Sequence, residues 1–287
     1  MSLGQNRSEY PYGRVAILGL GVMGGSLARA LSELERAPHV VGWSRKAAER
    51  ENAVLSGAID TAPDEWVEAV GGADLVVLAT PLKVTCQLLG PVSDAAPDGA
   101  TFTDVASLKG PVLKAAFAAG VGDRWIGSHP MAGSEDSGFE ASKADLYNET
   151  RVWIVANSAA NSRVLKLKAF WQSVGAEPRS IEAADHDGLV AMASHLPQLA
   201  ANALASILAQ HGIMAEELGP GGRDMTRLAA SGAAMWRDLL EESPPELVQG
   251  LRSLSEAANA IADQIEEGDL EELERLMRST AAWRRST

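Results

Sequence analysis

Between Val15 and Ile181, short continuous apolar runs alternate with stretches of helical spacing. Val15-Ala16-Ile17-Leu18, Val40-Val41-Gly42, Leu75-Val76-Val77-Leu78, Thr101-Phe102-Thr103 and Val152-Trp153-Ile154-Val155 each read as a buried strand. Successive strand side chains point to opposite faces, so a run that is apolar throughout needs cover on both, as parallel strands have. Strands alternating with helices predict an α/β fold built on a doubly wound, mainly parallel sheet. After about Asp185 the strand signal stops. Leu189, Met192, Ala193, Leu196, Leu199, Ala203, Leu204 and Ile207 recur at helical spacing. Leu247, Leu251, Leu254, Ala258, Ile261 and Ile265 alternate steps of four and three, the seam of one helix packed on another. An all-helical C-terminal domain is therefore expected. Its stripes suit a monomeric bundle core and equally a dimer made by face packing or helix exchange.

Length agrees with that division. At about 150 residues per domain, 287 residues make two domains. We place them at 1–184 and 185–287, with 1–13 expected to be flexible. The formal charge of −13 argues against nucleic acid or an anionic membrane as partner, since both call for basic surface. It leaves an anionic small molecule open. Cys86 is the sole cysteine, so one chain can form neither a disulfide framework nor a cysteine metal site. No metal-ligand spacing is seen, and no metal is expected. The N-terminus has no apolar signal core, and no run approaches the roughly 18 apolar residues of a membrane span. A cytoplasmic protein is the expectation.

The strongest motif is Gly19-Leu20-Gly21-Val22-Met23-Gly24, set between the first strand and a helix beginning Gly25-Ser26-Leu27. In that context Gly19 permits a tight turn, Gly21 a close approach of phosphate to backbone, and Gly24 close helix–strand packing. The helix N-terminus then offers N–H groups and a positive dipole end to a pyrophosphate. The first domain thus reads as a Rossmann-type dinucleotide-binding domain, and these six residues as cofactor-binding. The second strand ends in Trp43-Ser44-Arg45-Lys46, where an NAD enzyme usually carries an acid for the ribose hydroxyls. A hydroxyl followed by two cations suits a 2′-phosphate better, so NADP is preferred over NAD. Solvated charges before a helix are the plain alternative.

Further candidates follow later strands, where open α/β sheets place ligands. Thr80-Pro81 follows the third strand and joins the cofactor set. Ser107 lies in Asp104-Val105-Ala106-Ser107-Leu108-Lys109, where a helix cap is its ordinary role. His129 lies in Ser128-His129-Pro130-Met131-Ala132-Gly133; Pro130 biases it toward an extended conformation, so it is expected on a rigid loop. A neutral imidazole suits proton abstraction near pH 7. Pro197 cannot donate to the carbonyl of Ala193, so a kink is expected beside His195.

Several blocks together resemble the prephenate/arogenate (cyclohexadienyl) dehydrogenases of tyrosine biosynthesis. They are the glycine loop through Ser26, Ser128 to Gly138, Ser194-His195-Leu196-Pro197, Thr226-Arg227-Leu228-Ala229 and Met235-Trp236-Arg237-Asp238. Their order and approximate spacing match from about Val15 to Ile265. The resemblance implies oxidative decarboxylation of prephenate to 4-hydroxyphenylpyruvate, or of arogenate to tyrosine. Hydride leaves C4 for NADP or NAD as the hydroxyl proton is drawn off, and loss of CO2 from C1 aromatises the ring. It implies His129 as the base, Ser107 as a catalytic hydrogen-bonding partner, His195 and Arg227 as substrate-binding residues, and Glu135 as a polar or gating residue of the substrate site. It also implies a homodimer through the helical domain. The family often has a second histidine three positions after His195, and this chain has Gln198 there.

Two other classes fit the opening motif. One is a Rossmann-plus-helical dehydrogenase of the 3-hydroxyacid or imine reductase type, which would use a lysine on the helix joining the domains; none is convincingly placed here. The other is a non-enzymatic dinucleotide-sensing regulator, which would not need His129, Ser107 and Arg227 together.

Overall fold

The computed structural model describes residues 11–133 and 136–286, with the side chains of residues 234 and 235 left aside. The chain begins β1 (Arg14–Leu18), α1 (Val22–Ser32), β2 (His39–Trp43), α2 (Ala47–Leu55), α3 (Trp66–Val70), β3 (Leu75–Leu78), α4 (Leu82–Ala95) and β4 (Thr101–Asp104). The four strands are parallel in the order β2-β1-β3-β4. Strand order therefore reverses between β1 and β3, where such sheets open a crevice for ligands. After α5 (Gly110–Ala118), β5 (Gly127–Pro130) runs antiparallel to β6 (Arg151–Val155). Beyond α6 (Asn161–Ser173), β7 (Glu177–Ser180) completes a second, three-stranded sheet, and α7 (Ala183–Val190) follows. A parallel bridge from Phe102 to Trp125 brings the approach to β5 alongside β4.

All five expected strands are present, and an α/β sheet domain precedes a helical region as expected. His129, however, lies on strand β5 rather than on a loop, paired with Trp153. The extended bias before Pro130 was satisfied by pairing with β6, a partner that local sequence does not show. Tyr12, inside the segment expected to be flexible, is buried edge-on against Phe170; residues 1–10 lie outside the described residues.

The sheet's alternation divides its core in two. Val15, Ile17, Leu75 and Val77 pack with Leu27, Leu31, Phe170 and Trp171. Ala16, Leu18, Val76 and Leu78 pack on the other side with Leu89, Val112 and Trp125. The remaining helices are α8 (Leu196–Gln210), α9 (Pro220–Thr226), α10 (Ala233–Glu241), α11 (Pro245–Glu267) and α12 (Leu270–Arg285). Two compact units result: the sheet region through Val190 together with Ala230–Ser243, and Ala191–Ala229 together with Pro244–Thr287. Helix α10 thus belongs to the sheet unit. Its Leu239 joins the second core cluster, and Asp238 and Glu241 hold Lys83 of α4 at 3.2 and 2.5 Å.

In the helical unit, Ala191–His195 is a π-helical turn immediately before α8. Pro197 lacks the N–H that a regular turn would donate, and the widened turn accommodates the loss. Gly250 of α11 allows close contact with that segment: a Cβ there would lie 2.9 Å from Met192 Sδ and 3.1 Å from a Leu196 methyl. Leu247 is buried, yet Val248, Leu254, Ile265, Leu270, Met277 and Trp283 are exposed. Among the described residues no helix is long and apolar enough to cross a membrane.

Gly19 has φ +107°, a conformation that L side chains rarely adopt. At Gly24 an added Cβ would collide with the Gly19 carbonyl and lie 3.0 Å from Ala79 Cβ. Gly24→Ala is expected to destabilise the fold by about 1–3 kcal/mol through overpacking. Urea unfolding checks this, and an unchanged midpoint would show that the loop yields without cost.

Candidate active site

The carboxyl ends of the four parallel strands bring most of the sequence candidates to one edge of the sheet unit. The glycine loop follows β1, Ser44–Lys46 follows β2, Thr80-Pro81 follows β3 and Ser107 follows β4. Gly21 caps α1 with extended backbone; the first turn has neither a capping side chain nor an acidic residue. A Cβ at Gly21 would meet nothing within 4 Å. This bare, positively polarised helix end fits a dinucleotide's pyrophosphate. Val22 and Met23 are half-buried, and the Met23 carbonyl accepts the Tyr147 hydroxyl at 2.7 Å. Leu20 differs from its neighbours: it is fully buried in the core, where its methyls crowd Gly42.

At the end of β2 the structure changes the electrostatic picture. Ser44 is buried and its Oγ donates to Glu49 Oε2 at 2.5 Å, while Lys46 Nζ donates to Glu49 Oε1 at 3.0 Å. The acid missing from the strand end is thus supplied by α2. Arg45 is exposed and, among the described residues, has no ion-pair partner. Thr80 Oγ1 lies 2.8 Å from Thr85 Oγ1, and Pro81 is the exposed cap of α4.

On β5, alternation sends Ser128 and His129 to opposite faces. Ser128 Oγ lies 2.8 Å from Thr103 Oγ1 and accepts Trp171 Nε1–H at 2.9 Å. His129 is buried, and its Nδ1 lies 2.9 Å from His186 Nε2, the two rings meeting edge to face. His186 Nδ1 in turn lies 2.7 Å from Asp187 Oδ1. Asp187 also accepts the backbone N–H of Lys109 at 2.7 Å and of Gly110 at 2.8 Å, at the start of α5. Burial works to raise the Asp187 pKa, but the bonds from His186 and the two amides prevail and hold its carboxyl below the usual range.

Lys109 stands behind this row. Fully buried, its ammonium donates to Asp104 Oδ2 and, at 2.8 Å, to the carbonyl of Ser128. Asp104 further accepts Ala106 N–H at 3.1 Å and Trp125 Nε1–H at 3.2 Å. Burial pushes the Asp104 carboxyl up and the Lys109 ammonium down, each opposed by the other's charge.

Ser107 is half-buried beyond β4, and its hydroxyl hydrogen-bonds no described residue. The cap of α5 is Lys109, so Ser107 is not the helix cap that its surroundings suggested. In the helical unit, His195 is buried at the junction of the π turn and α8. Arg227 is exposed at the start of the 3-10 turn Arg227–Ala230. Gln198 is buried and donates to the Leu228 carbonyl at 2.6 Å, tying that turn to α8. Glu135 lies outside the described residues.

Sequence reasoning overlooked His186, Asp187, Lys109 and Asp104. Asp185-His186-Asp187 at the head of a helix looks like ordinary first-turn polarity. The usable signal was a lysine and an aspartate flanking Ser107 just past a buried strand. Cys86 is half-buried, and burial pushes its thiol up to about 11, consistent with an unreactive packing residue.

The model of the prephenate dehydrogenase nucleotide-binding domain matches residues 27–179, and that of the prephenate dehydrogenase dimerization domain matches 182–279. Prephenate dehydrogenase of Lactococcus lactis is 28% identical over 91% of this chain and 73% of its own length. Cyclohexadienyl dehydrogenase of Zymomonas mobilis is 28% identical over 87% of this chain and 89% of its own. The crystal structure of Aquifex aeolicus prephenate dehydrogenase with hydroxyphenyl propionate and NAD+ superposes with a TM-score of 0.88. It is 27% identical and covers 98% of this chain and 99% of that one.

Lys109→Met leaves Asp104 buried without its counter-charge and is expected to cost about 3–5 kcal/mol in urea unfolding. Adding Asp104→Leu to the same chain should recover most of that loss. Failure of the double variant to recover would show that the cost does not come from the unpaired Asp104 charge.

Proposed function

The chain belongs to the prephenate dehydrogenase family, and on that premise we propose that it oxidatively decarboxylates prephenate, arogenate or both, for tyrosine synthesis. The observation that carries the reading is a buried imidazole, His129, fixed on a strand and hydrogen-bonded through Nδ1 to a second ring. His129 takes the proton of the substrate's ring hydroxyl. Ser107 offers that hydroxyl a hydrogen bond, a role supported by its lack of a described partner. Arg227, exposed and planar, pairs with a substrate carboxylate, and His195 and Glu135 contribute to the substrate site. NAD(P)+, when bound, supplies the hydride acceptor. Gly19 to Gly24 and Thr80-Pro81 hold its pyrophosphate and neighbouring groups, Leu20 acting through packing.

For the cofactor we favour NADP, on Ser44, Arg45 and Lys46. Glu49 already engages Ser44 and Lys46, so Arg45 is the cation on which a 2′-phosphate depends most. The exposed apolar residues of α11 and α12 support a homodimer through the helical unit, and the match to a dimerization domain agrees. Metabolism of this kind suits the cytoplasm.

A steady-state assay of prephenate and arogenate against NADP and NAD tests the whole reading. Nicotinamide reduction with CO2 release is expected from at least one cyclohexadienol; reduction only by simple 3-hydroxyacids would refute it. His129→Asn should lower kcat by about 10²- to 10⁴-fold with cofactor affinity unchanged. Arg227→Ala should act chiefly on the KM of the anionic substrate. Near-normal turnover in the first, or an unchanged KM in the second, removes the respective role. In the same assay Arg45→Ala should weaken NADP much more than NAD; equal weakening would overturn the 2′-phosphate assignment.

A further inference from the structure

We infer that Asp187, acting through His186, keeps the proton of neutral His129 on Nδ1 and so leaves the lone pair on Nε2. The consequence for turnover rests on the function proposed above; the tautomer itself does not.

The argument starts from groups whose polarity cannot change. The backbone N–H groups of Lys109 and Gly110 only donate, and both point at Asp187, at 2.7 and 2.8 Å. They sit at the first turn of α5, whose dipole also favours an anion. Asp187 is thereby held as an ionised, acceptor-only carboxylate. Its contact of 2.7 Å with His186 Nδ1 must then be a bond donated by Nδ1–H. In a neutral imidazole one nitrogen donates and the other accepts, so His186 Nε2 is the acceptor. The atom 2.9 Å from it is His129 Nδ1, which must donate. His129 Nδ1 therefore carries the hydrogen, and Nε2 carries the lone pair.

The chain of polarity runs from two backbone amides through a carboxylate and an imidazole to the base. Histidine in water favours the opposite tautomer, so this arrangement selects the minority form that a base acting through Nε2 requires. During proton abstraction one substrate O–H bond breaks and one Nε2–H bond forms. The new imidazolium donates from Nδ1 to His186, whose other nitrogen faces the Asp187 charge. Asp187 and His186 are positioning residues, since neither is assigned contact with substrate or cofactor.

Asp187→Asn separates this role from mere packing. An amide cannot face the Lys109 and Gly110 N–H groups with oxygen at both positions. With its NH2 toward Gly110 the amide keeps its oxygen on Lys109 and His186, and the tautomers stand. With its NH2 toward Lys109 and His186, His186 accepts at Nδ1 and donates from Nε2, and His129 then protonates at Nε2. Either orientation costs one clash with a backbone N–H. The experiment is 15N NMR of histidine-labelled enzyme at pH 8, without substrate. The chain's five histidines make the spectrum assignable by single substitutions. The unsubstituted enzyme is expected to show His129 protonated at Nδ1 only. Asp187→Asn should move a measurable share of that proton to Nε2 and lower kcat by up to about 10⁴-fold, with the Kd of NADP unchanged. A folded variant whose His129 stays protonated wholly at Nδ1 overturns the control by Asp187. An Nε2-protonated His129, or a doubly protonated His186, in the unsubstituted enzyme overturns the inference even where the variant does not fold. A reversed tautomer in the variant with unchanged kcat overturns the link to turnover. An Nδ1 proton on His129 in an enzyme inactive on both cyclohexadienols rejects the proposed function and leaves the tautomer assignment standing.

Discussion

A buried ammonium has to be surrounded by acceptors or it will not stay buried. Lys109 satisfies that condition by joining three separate elements. Its side chain holds Asp104 at the end of β4 and the Ser128 carbonyl on β5, and its backbone N–H holds Asp187 on α7. The end of the parallel sheet, the strand bearing His129 and the helix bearing His186 therefore share one residue. The arrangement derives from the charge's need for partners, and the placement of the imidazole row follows from it.

The two carboxylates around Lys109 experience opposite environments. Asp104 is fully enclosed, so desolvation dominates and raises its carboxyl. Burial would raise Asp187 as well, but the bond from His186 and the amide hydrogens at a helix start outweigh it and hold its carboxyl down. A carboxylate that stays charged beside imidazoles gives them a fixed orientation, and a carboxylate that shares a buried cation gives the backbone a fixed path. Asp104 thus serves geometry and Asp187 serves polarity, although both are aspartates that hydrogen-bond the same lysine, one through its ammonium and one through its backbone N–H.

The fold was legible because its signals are local. Five apolar runs gave five strands, and the glycine loop gave the strand–turn–helix of β1 and α1. His129 stood out through Pro130 and its neighbours, but its secondary structure did not, since strand pairing with Trp153 depends on residues far along the chain. His186 and Asp187 were invisible for the same reason: their partners are 57 and 77 or 78 positions away. The absence of an acid after β2 was read correctly from the strand and incompletely from the space, because Glu49 reaches back from the following helix. Local pattern reveals elements; it does not reveal which polar groups the elements bring face to face.

The sheet unit is not one continuous stretch of chain, since Ala230–Ser243 belongs to it while residues 191–229 do not. Leu239 of α10 closes part of the core behind α4. On the ribosome, the sheet, α4 and α7 emerge well before α10. At about 5–20 residues per second, the interval between Val190 and Ser243 lasts roughly 3–10 s. Throughout it the nascent sheet domain has an unfinished apolar seam, and the part that finishes it is still being made. Synthesis order thus makes completion of the sheet unit wait until residues 191–229 of the helical unit have been made.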